Sequence, residues 1–346
     1  MKATKIISAC AVLVALASCS NDHVISQPGA EDTPIRIQAN VGAVTTKAAS
    51  NIQESQFEEN ENIGIFLREH LKTGETSIKS YTLPLLGVTK KYSNDMMIDL
   101  STTEYYPSNG HGVDCLAIYP MQFNKSNIDH NTTSFSVQDD QSSDVNYKAS
   151  DLMFAYKKET KNADKLPIEL TFEHLLSKII IVLKVDGSVD KSVLNEAYIE
   201  LSGLKKTIGI NVSDMTQVSG SASSESTDAS VSLNTSILQD DATITFGKQT
   251  KSSSDDTQTE EAAVIIVPQN IPLNTEFIKV KLSNDNGSSF YTTYTYKVTD
   301  PAGLTFAEKT AYKYTITLKA GSISVQSVQI TPWTHASDGS GDANLD

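Results

Sequence analysis

A cysteine near the amino terminus has the surroundings that most clearly specify a reaction. Lys2 and Lys5 precede an apolar run over residues 6–16, and small residues lead directly into Cys19. The run is too short to span a bilayer as a helix and is typical of an export signal. A thiol directly after such a signal is typical of lipoprotein precursors, in which it receives a diacylglycerol and the chain is cut just before it. We predict that residues 1–18 are a lipoprotein signal peptide, that Cys19 is lipidated, and that the protein lies at the cell outer membrane or cell surface. The alternative is an ordinary secretory signal with an incidental cysteine.

The remaining residues that could act in catalysis or bind a metal show no pattern typical of a catalytic or metal site. No two of the six histidines have the sequence separation of a metal-binding motif. They are His23, His70, His111, His130, His174 and His335. His174 is flanked by apolar residues, which favours a structural role such as capping a turn. The acidic stretch 338–342 loosely resembles a calcium loop but lacks the bidentate glutamate. Cys115 has apolar neighbours that predict a buried strand position, and the sequence leaves its role open. We therefore predict no catalytic residue, no metal site, no cofactor and no enzymatic activity.

The net charge argues against nucleic-acid partners, and the chain length indicates how many domains the chain can form. The chain has 346 residues and a net charge of −14, from 42 acidic and 28 basic side chains. Because phosphates repel so acidic a chain, we expect no nucleic-acid binding. After removal of the signal, the chain is long enough for two domains of ordinary size.

The hydrophobic periodicity predicts strands nearly everywhere. Residues 35–41 alternate apolar with polar, as in a half-buried strand. Residues 179–185 are almost continuous in β-branched side chains and predict a central strand. Further strand candidates are residues 63–67, 115–119, 198–201, 208–212, 243–246, 262–267, 278–282, 290–298 and 312–318. The Asp-Asn-Gly sequence at 285–287 predicts a hairpin turn. Only residues 173–178 and 190–196 could form short helices.

Many short strands separated by polar turns predict an all-β chain of antiparallel sandwiches. The predicted organisation is a tether at 19–33, an N-terminal sandwich at 34–166, a C-terminal sandwich at 167–334 and a flexible tail at 335–346. The boundary between the sandwiches falls where a polar segment ends in proline, before the long apolar strand.

Several motifs together resemble the fimbrillin family, the lipoprotein-derived pilus subunits of Bacteroidales and their relatives. The first is the signal ending at residues 16–19, followed by a tether and an alternating strand. The most specific is Ser-Asp-Leu-Met-Phe-Ala at 150–155 with the Leu-Thr-Phe-Glu-His-Leu-Leu-Ser-Lys-Ile stretch inside 168–179. The third comprises the alternating strand 312–318 and the segment 323–333, which ends Ile-Thr-Pro-Trp. The resemblance implies two tandem transthyretin-like antiparallel β-sandwich domains.

The resemblance also implies assembly of a fimbria by donor-strand exchange, in which proteolysis removes the first strand and a neighbouring subunit fills its groove. Residues 35–41 have the period that such a strand needs. We expect cleavage after Lys47, before Ala48, in a small-residue loop that suits a trypsin-like protease. Arg36 is the other basic candidate, but it lies inside the strand.

The donor segment that the resemblance implies lies near the carboxyl terminus. Its side chains would be Ile323, Val325, Val328 and Ile330. The first two residues share one parity and the last two the other, which predicts a β-bulge or two short strands. The implied partners are other copies of the chain or related fimbrial subunits, a processing protease, and the outer membrane through the lipid. A host or glycan ligand is a further candidate, with a role in adhesion.

Two other functions stay open at the level of sequence. The chain could be a non-polymerising surface lipoprotein that binds glycans through the same fold, although Trp333 is its only tryptophan. An enzyme is the third hypothesis. The sequence does not distinguish a shaft, a tip or an anchor subunit.

Overall fold

A computed structural model describes residues 33–41, 57–121, 132–161, 166–212, 215 and 220–333. The predicted lipidation site Cys19, the predicted cleavage site at Lys47 and Ala48, the signal peptide and the tail lie outside the described residues. So does all of the predicted tether except Thr33.

Nearly all the regular secondary structure of the described residues is β-strand, which confirms the predicted all-β class. The one short α-helix is α1 (Asp144–Ala149), and a 3₁₀ helix covers Lys191–Glu196, both counted within the described ranges. The strands are β1 (Ile37–Val41), β2 (Asn62–Glu69), β3 (Leu85–Tyr92), β4 (Asp95–Leu100), β5 (Val113–Tyr119), β6 (Thr132–Ser136), β7 (Met153–Thr160), β8 (Ile168–His174), β9 (Ser177–Val185), β10 (Ala197–Val212), β11 (Val231–Lys248), β12 (Ala262–Ile266), β13 (Gln269–Ile271), β14 (Glu276–Leu282), β15 (Thr292–Lys297), β16 (Leu304–Phe306), β17 (Thr310–Lys319) and β18 (Ser322–Pro332). No helix in this part of the chain is long and apolar enough to cross a membrane.

Seven strands of the first half form one closed barrel, in the order β1-β4-β3-β2-β5-β7-β8. This differs from the prediction of a two-sheet antiparallel sandwich. The closure depends on β1, which runs antiparallel to β4 and parallel to β8. Closing the sheet removes its two edges and encloses a hydrophobic core.

The second half contains two large open sheets, besides the two-stranded sheet of β13 and β16. One has the order β11-β10-β14-β15, and the other has the order β12-β9-β17-β18. A single large group of buried apolar side chains includes residues from both sheets. The second sheet is also not purely antiparallel, because β9 and β17 run parallel. Strand β6 pairs with β10, although the predicted boundary at residues 166 and 167 places β6 in the first half.

Local sequence patterns account for several of these elements. Strand β9 lies between β12 and β17, which confirms the predicted central strand. The hairpin between β14 and β15 is also confirmed, with positive φ at Asn286 (57°) and Gly287 (87°). The predicted short helix near 190–196 is present as the 3₁₀ helix. The one predicted at 173–178 is wrong, because that segment joins the end of β8 to the start of β9.

Candidate functional site

The first candidate region is β1, the strand that closes the barrel. It pairs with β8 along its whole length, from Ile37 opposite Ile168 to Val41 opposite Phe172. It pairs with β4 only at Ile37 and Gln38. The two seams of β1 are therefore unequal, and the one with β8 carries most of the backbone pairing.

The barrel core is completed by apolar side chains on one face of β1 and of residues 35 and 36, which precede it. Ile35, Ile37, Ala39 and Val41 are buried, and they alternate with the exposed Arg36 and Asn40. This alternation places the buried set among the other apolar residues of the barrel interior. We conclude that departure of β1 would expose that interior to water.

A cleft of about 500 Å³ opens where β1 and β4 separate. Arg36 lines it on the β1 side, and Asp99, Leu100 and Thr103 line it on the other. Two backbone bonds cross beyond the cleft, from the Ile35 amide to the Glu104 carbonyl at 2.7 Å and from the Tyr106 amide to the Thr33 carbonyl at 3.2 Å. The short ladder and the cleft make the β4 side the weaker seam of the barrel.

The second candidate region is β18, which contains the predicted donor residues. Within the described residues it pairs with β17 alone and forms the edge of its sheet. Ile323 lies opposite Leu318 and Val325 opposite Ile316, and both are half-buried against the large core. The backbone of Ile330 lies opposite Tyr312. In this structure the segment is thus already paired within its own chain.

The predicted change of parity in β18 is a β-bulge. The interval from Gln326 to Gln329 on β18 lies opposite the shorter interval from Lys313 to Thr315 on β17. One extra residue on β18 therefore shifts the alternation by one position. Because of this shift, the backbones of Val325 and Ile330 lie opposite Ile316 and Tyr312, two positions of the same parity on β17.

Trp333 fixes the chain directly after β18. Its side chain is fully buried, and its backbone amide donates to the Lys309 carbonyl at 2.6 Å. Its indole ring stacks on the His174 imidazole, with 4.0 Å between the ring centroids and 12° between the planes. His174 Nδ1 is bonded to Asp151 Oδ1 at 2.8 Å, and both side chains are buried.

This cluster brings together residues from two of the motifs that carried the resemblance. His174 has a structural role, but it bonds a carboxylate and stacks on a ring instead of capping a turn. Because Trp333 is buried, it presents no ring face to a saccharide. The sequence showed that Asp151, His174 and Trp333 lie in distinctive motifs, and it did not show that they meet.

Cys115 lies in the barrel interior, as its apolar neighbours predict. Burial raises the pKa of its thiol far above the ordinary value, and the Asp114 carboxylate raises it further. A thiol that stays protonated is a poor nucleophile and a poor metal ligand. Across the described ranges, no group of three or more histidine, cysteine, aspartate or glutamate side chains is placed to hold a metal ion.

Comparisons with known proteins agree with this architecture. A family model described as fimbrillin-like matches residues 46–333. A proposed cell adhesion protein from Bacteroides uniformis is similar in structure at 17% identity, with a TM-score of 0.56, over 87% of this chain and 98% of that one. A proposed cell adhesion protein from Bacteroides ovatus has the same identity and TM-score over 88% of this chain and 98% of that one. No protein with a curated description matches.

Proposed function

Because the chain belongs to the fimbrillin-like family, we propose that it is a non-enzymatic structural subunit of a cell-surface fimbria. It associates with other copies or with related fimbrial subunits. The observation that carries the proposal is the position of β1. This strand closes a barrel, its apolar side chains fill the interior, and one of its two seams is short.

In this proposal the precursor reaches the outer membrane as a lipoprotein held at Cys19. A trypsin-like protease then cuts after Lys47, so that a subunit beginning at Ala48 remains. Lys47 follows the end of β1 closely in sequence. The cut leaves β1 attached by noncovalent contacts alone, and β1 can then depart through the weaker β4 seam.

The segment 322–332 of a neighbouring subunit then replaces β1 by β-strand addition. Departure of β1 removes its large apolar side chains from the groove. Each donor side chain that takes such a place stabilises the complex by about 1.5–3 kcal/mol through burial. The donor also restores hydrogen bonds to the freed edges of β4 and β8. Ile323 and Val325 supply one alternating pair, and Val328 and Ile330 supply the other after the bulge is straightened.

The proposal keeps the organisation that the resemblance implies, with tandem transthyretin-like domains at 34–166 and 167–334. Each would contribute one participant in the exchange. The groove lies between β4 of the first domain and β8, which follows the boundary in sequence but belongs to the closed barrel, and the second domain provides the donor segment.

Mild trypsin treatment of a chain that begins at Ser20 tests the exchange. Cleavage after Lys47 is expected to produce a ladder of oligomers that resists detergent without heating. The variant Lys47→Gln is the control and is expected to stay monomeric under the same treatment.

A cross-linked variant separates cleavage from strand departure. Gln38 and Met97 are direct antiparallel partners on β1 and β4, and such partners lie at a distance that a disulfide spans. Gln38→Cys combined with Met97→Cys is expected to be cut normally, to stay monomeric when oxidised, and to polymerise after reduction. A ladder of equal strength from the oxidised protein would rule out the departure of β1. Sequencing of subunits from sheared filaments is expected to begin at Ala48.

A further inference from the structure

A polar segment of the second half lies along the first half. Residues 220–228, here named the strap, belong to the long connection between β10 and β11. They run beside residues 68–77, which include the end of β2 and the turn after it. Despite its polar, serine-rich composition, the strap is docked against these residues.

Backbone hydrogen bonds join the strap to the first half at several places. The Ser226 amide donates to the Leu71 carbonyl at 2.8 Å, and the Leu71 amide donates to Ser226 Oγ at 3.0 Å. The Gly74 amide donates to the Ala222 carbonyl at 2.9 Å, and the Ala222 amide donates to the Glu75 carbonyl at 2.8 Å. Ala222 is the only buried apolar residue of the strap. Hydrogen bonds and charges therefore hold the strap, and such a segment is expected to open more easily than the core.

A group of buried charges lies beneath the strap. The Arg68 Nε atom is 2.8 Å from Asp114 Oδ2, and His70 Nδ1 is 2.8 Å from Asp114 Oδ1. Arg68 also donates to the carbonyl of Thr227 in the strap. The Asp114 carboxylate additionally accepts the Glu159 amide at 3.0 Å. These contacts surround the Asp114 carboxylate with donors and make it an acceptor for His70.

The second nitrogen of His70 faces the strap without a hydrogen bond. His70 Nε2 lies 3.6 Å from the Oε1 atom of Glu225 and has no partner within hydrogen-bond distance. A neutral imidazole must donate from Nδ1 to Asp114, because the other tautomer would oppose a lone pair to that carboxylate. Its Nε2 lone pair then faces the carboxylate of Glu225. An imidazolium donates from both nitrogens and suits both carboxylates.

We propose that the strap is a proton-sensitive clasp, which docks more tightly when His70 takes up a proton and Nε2–H donates to Glu225. The other charged groups around the contact are Arg68 beside Asp114 and Lys158 on β7. Lys158 Nζ lies 3.6 Å from Glu225 and 3.1 Å from Asp228. Lys158 holds the strap whether or not His70 is protonated, and His70 adds the response to pH. The clasp joins the two halves of the molecule and is independent of the strand exchange.

Hydrogen exchange of the strap tests the clasp in the full chain. The amides of Gly74, Ala222 and Ser226 report directly on docking, since each donates across the contact. Their protection factors, corrected for intrinsic exchange, are expected to rise about two- to fivefold between about pH 8 and about pH 5. This range covers imidazole titration, and the size is that of a partly exposed ion pair. Amides of β9 serve as the reference for global stability.

Two strap variants with the same chemical change provide the contrast. Glu225→Gln removes the carboxylate that faces His70 and is expected to abolish the rise in protection. Asp228→Asn removes a carboxylate that pairs with Lys158 and is expected to retain it. Protection that rises equally in Glu225→Gln, or that does not rise in the unmodified chain, would overturn the proposal.

Discussion

The strand that closes the barrel, β1, and the strand at the edge of its sheet in the second half, β18, are held by different forces. Strand β1 is five residues long, has a neighbour on each side, and buries every second side chain. Strand β18 is eleven residues long and has one neighbour within the described part of the chain, and its residues Ile323 and Val325 are only half-buried. Burial holds β1, whereas a long backbone ladder and Trp333 hold β18. Removal of β1 would therefore leave a hydrophobic groove, whereas the described side chains of β18 bury less apolar area.

Loss of the whole of β1 is expected to have the largest effect on stability. A chain that begins at Ala48 lacks the three large side chains Ile35, Ile37 and Val41, each worth about 1.5–3 kcal/mol, so the loss is about 5–9 kcal/mol. Urea unfolding at low protein concentration measures it, with the chain that begins at Thr33 as reference. A synthetic peptide of residues 33–41 is expected to restore the midpoint. An unchanged midpoint without the peptide would contradict the importance given to β1.

The anchor after β18 is expected to have the next largest effect. Trp333→Ala removes a fully buried indole that stacks on His174, and we expect a loss of about 3–5 kcal/mol. Circular dichroism follows the unfolding, because this variant has no tryptophan. Trp333→Phe keeps a ring and is expected to lose clearly less. If both variants unfold like the parent protein, the end of β18 is not anchored at Trp333.

A matched pair of isoleucines compares the two strands directly. Ile37→Ala on β1 is expected to lose about 2–5 kcal/mol, since that side chain is fully buried. Ile323→Ala on β18 is expected to lose less than half as much, because Ile323 is half-buried at a sheet edge. Both values come from urea unfolding of otherwise identical chains. Equal losses would remove the distinction between the strands.

The smallest effect is expected at Arg36, on the outer face of the segment that leads into β1. The side chain of Arg36 is exposed, while its carbonyl accepts the Ile168 amide at 2.7 Å. Because the backbone bond survives, Arg36→Ala is expected to change stability by no more than about 0.5 kcal/mol. The same variant is expected to be cut by trypsin after Lys47 as before. A large loss of stability would mean that the exposed face also holds β1.

Local patterns predicted the elements of this fold better than their arrangement. The period of two in residues 35–41, the apolar run at 179–185 and the Asp-Asn-Gly turn each correspond to an observed element. The change of parity near Val325 and Val328 predicted the bulge in β18. The helix at Asp144–Ala149 was missed because it is short and Ser143, whose side chain accepts the Asn146 amide, begins it in a polar stretch.

The sequence alone determined that the chain is rich in strands, where many of those strands lie, and which family motifs it carries, because these features depend on neighbouring residues. Only the tertiary structure decided that β1 pairs in parallel with β8 and closes a barrel, that Asp151, His174 and Trp333 form one cluster, and that the strap covers His70. Those contacts join residues far apart in the chain. They depend on which strand edges remain unpaired and which side chains fill the remaining space, and no local period specifies either.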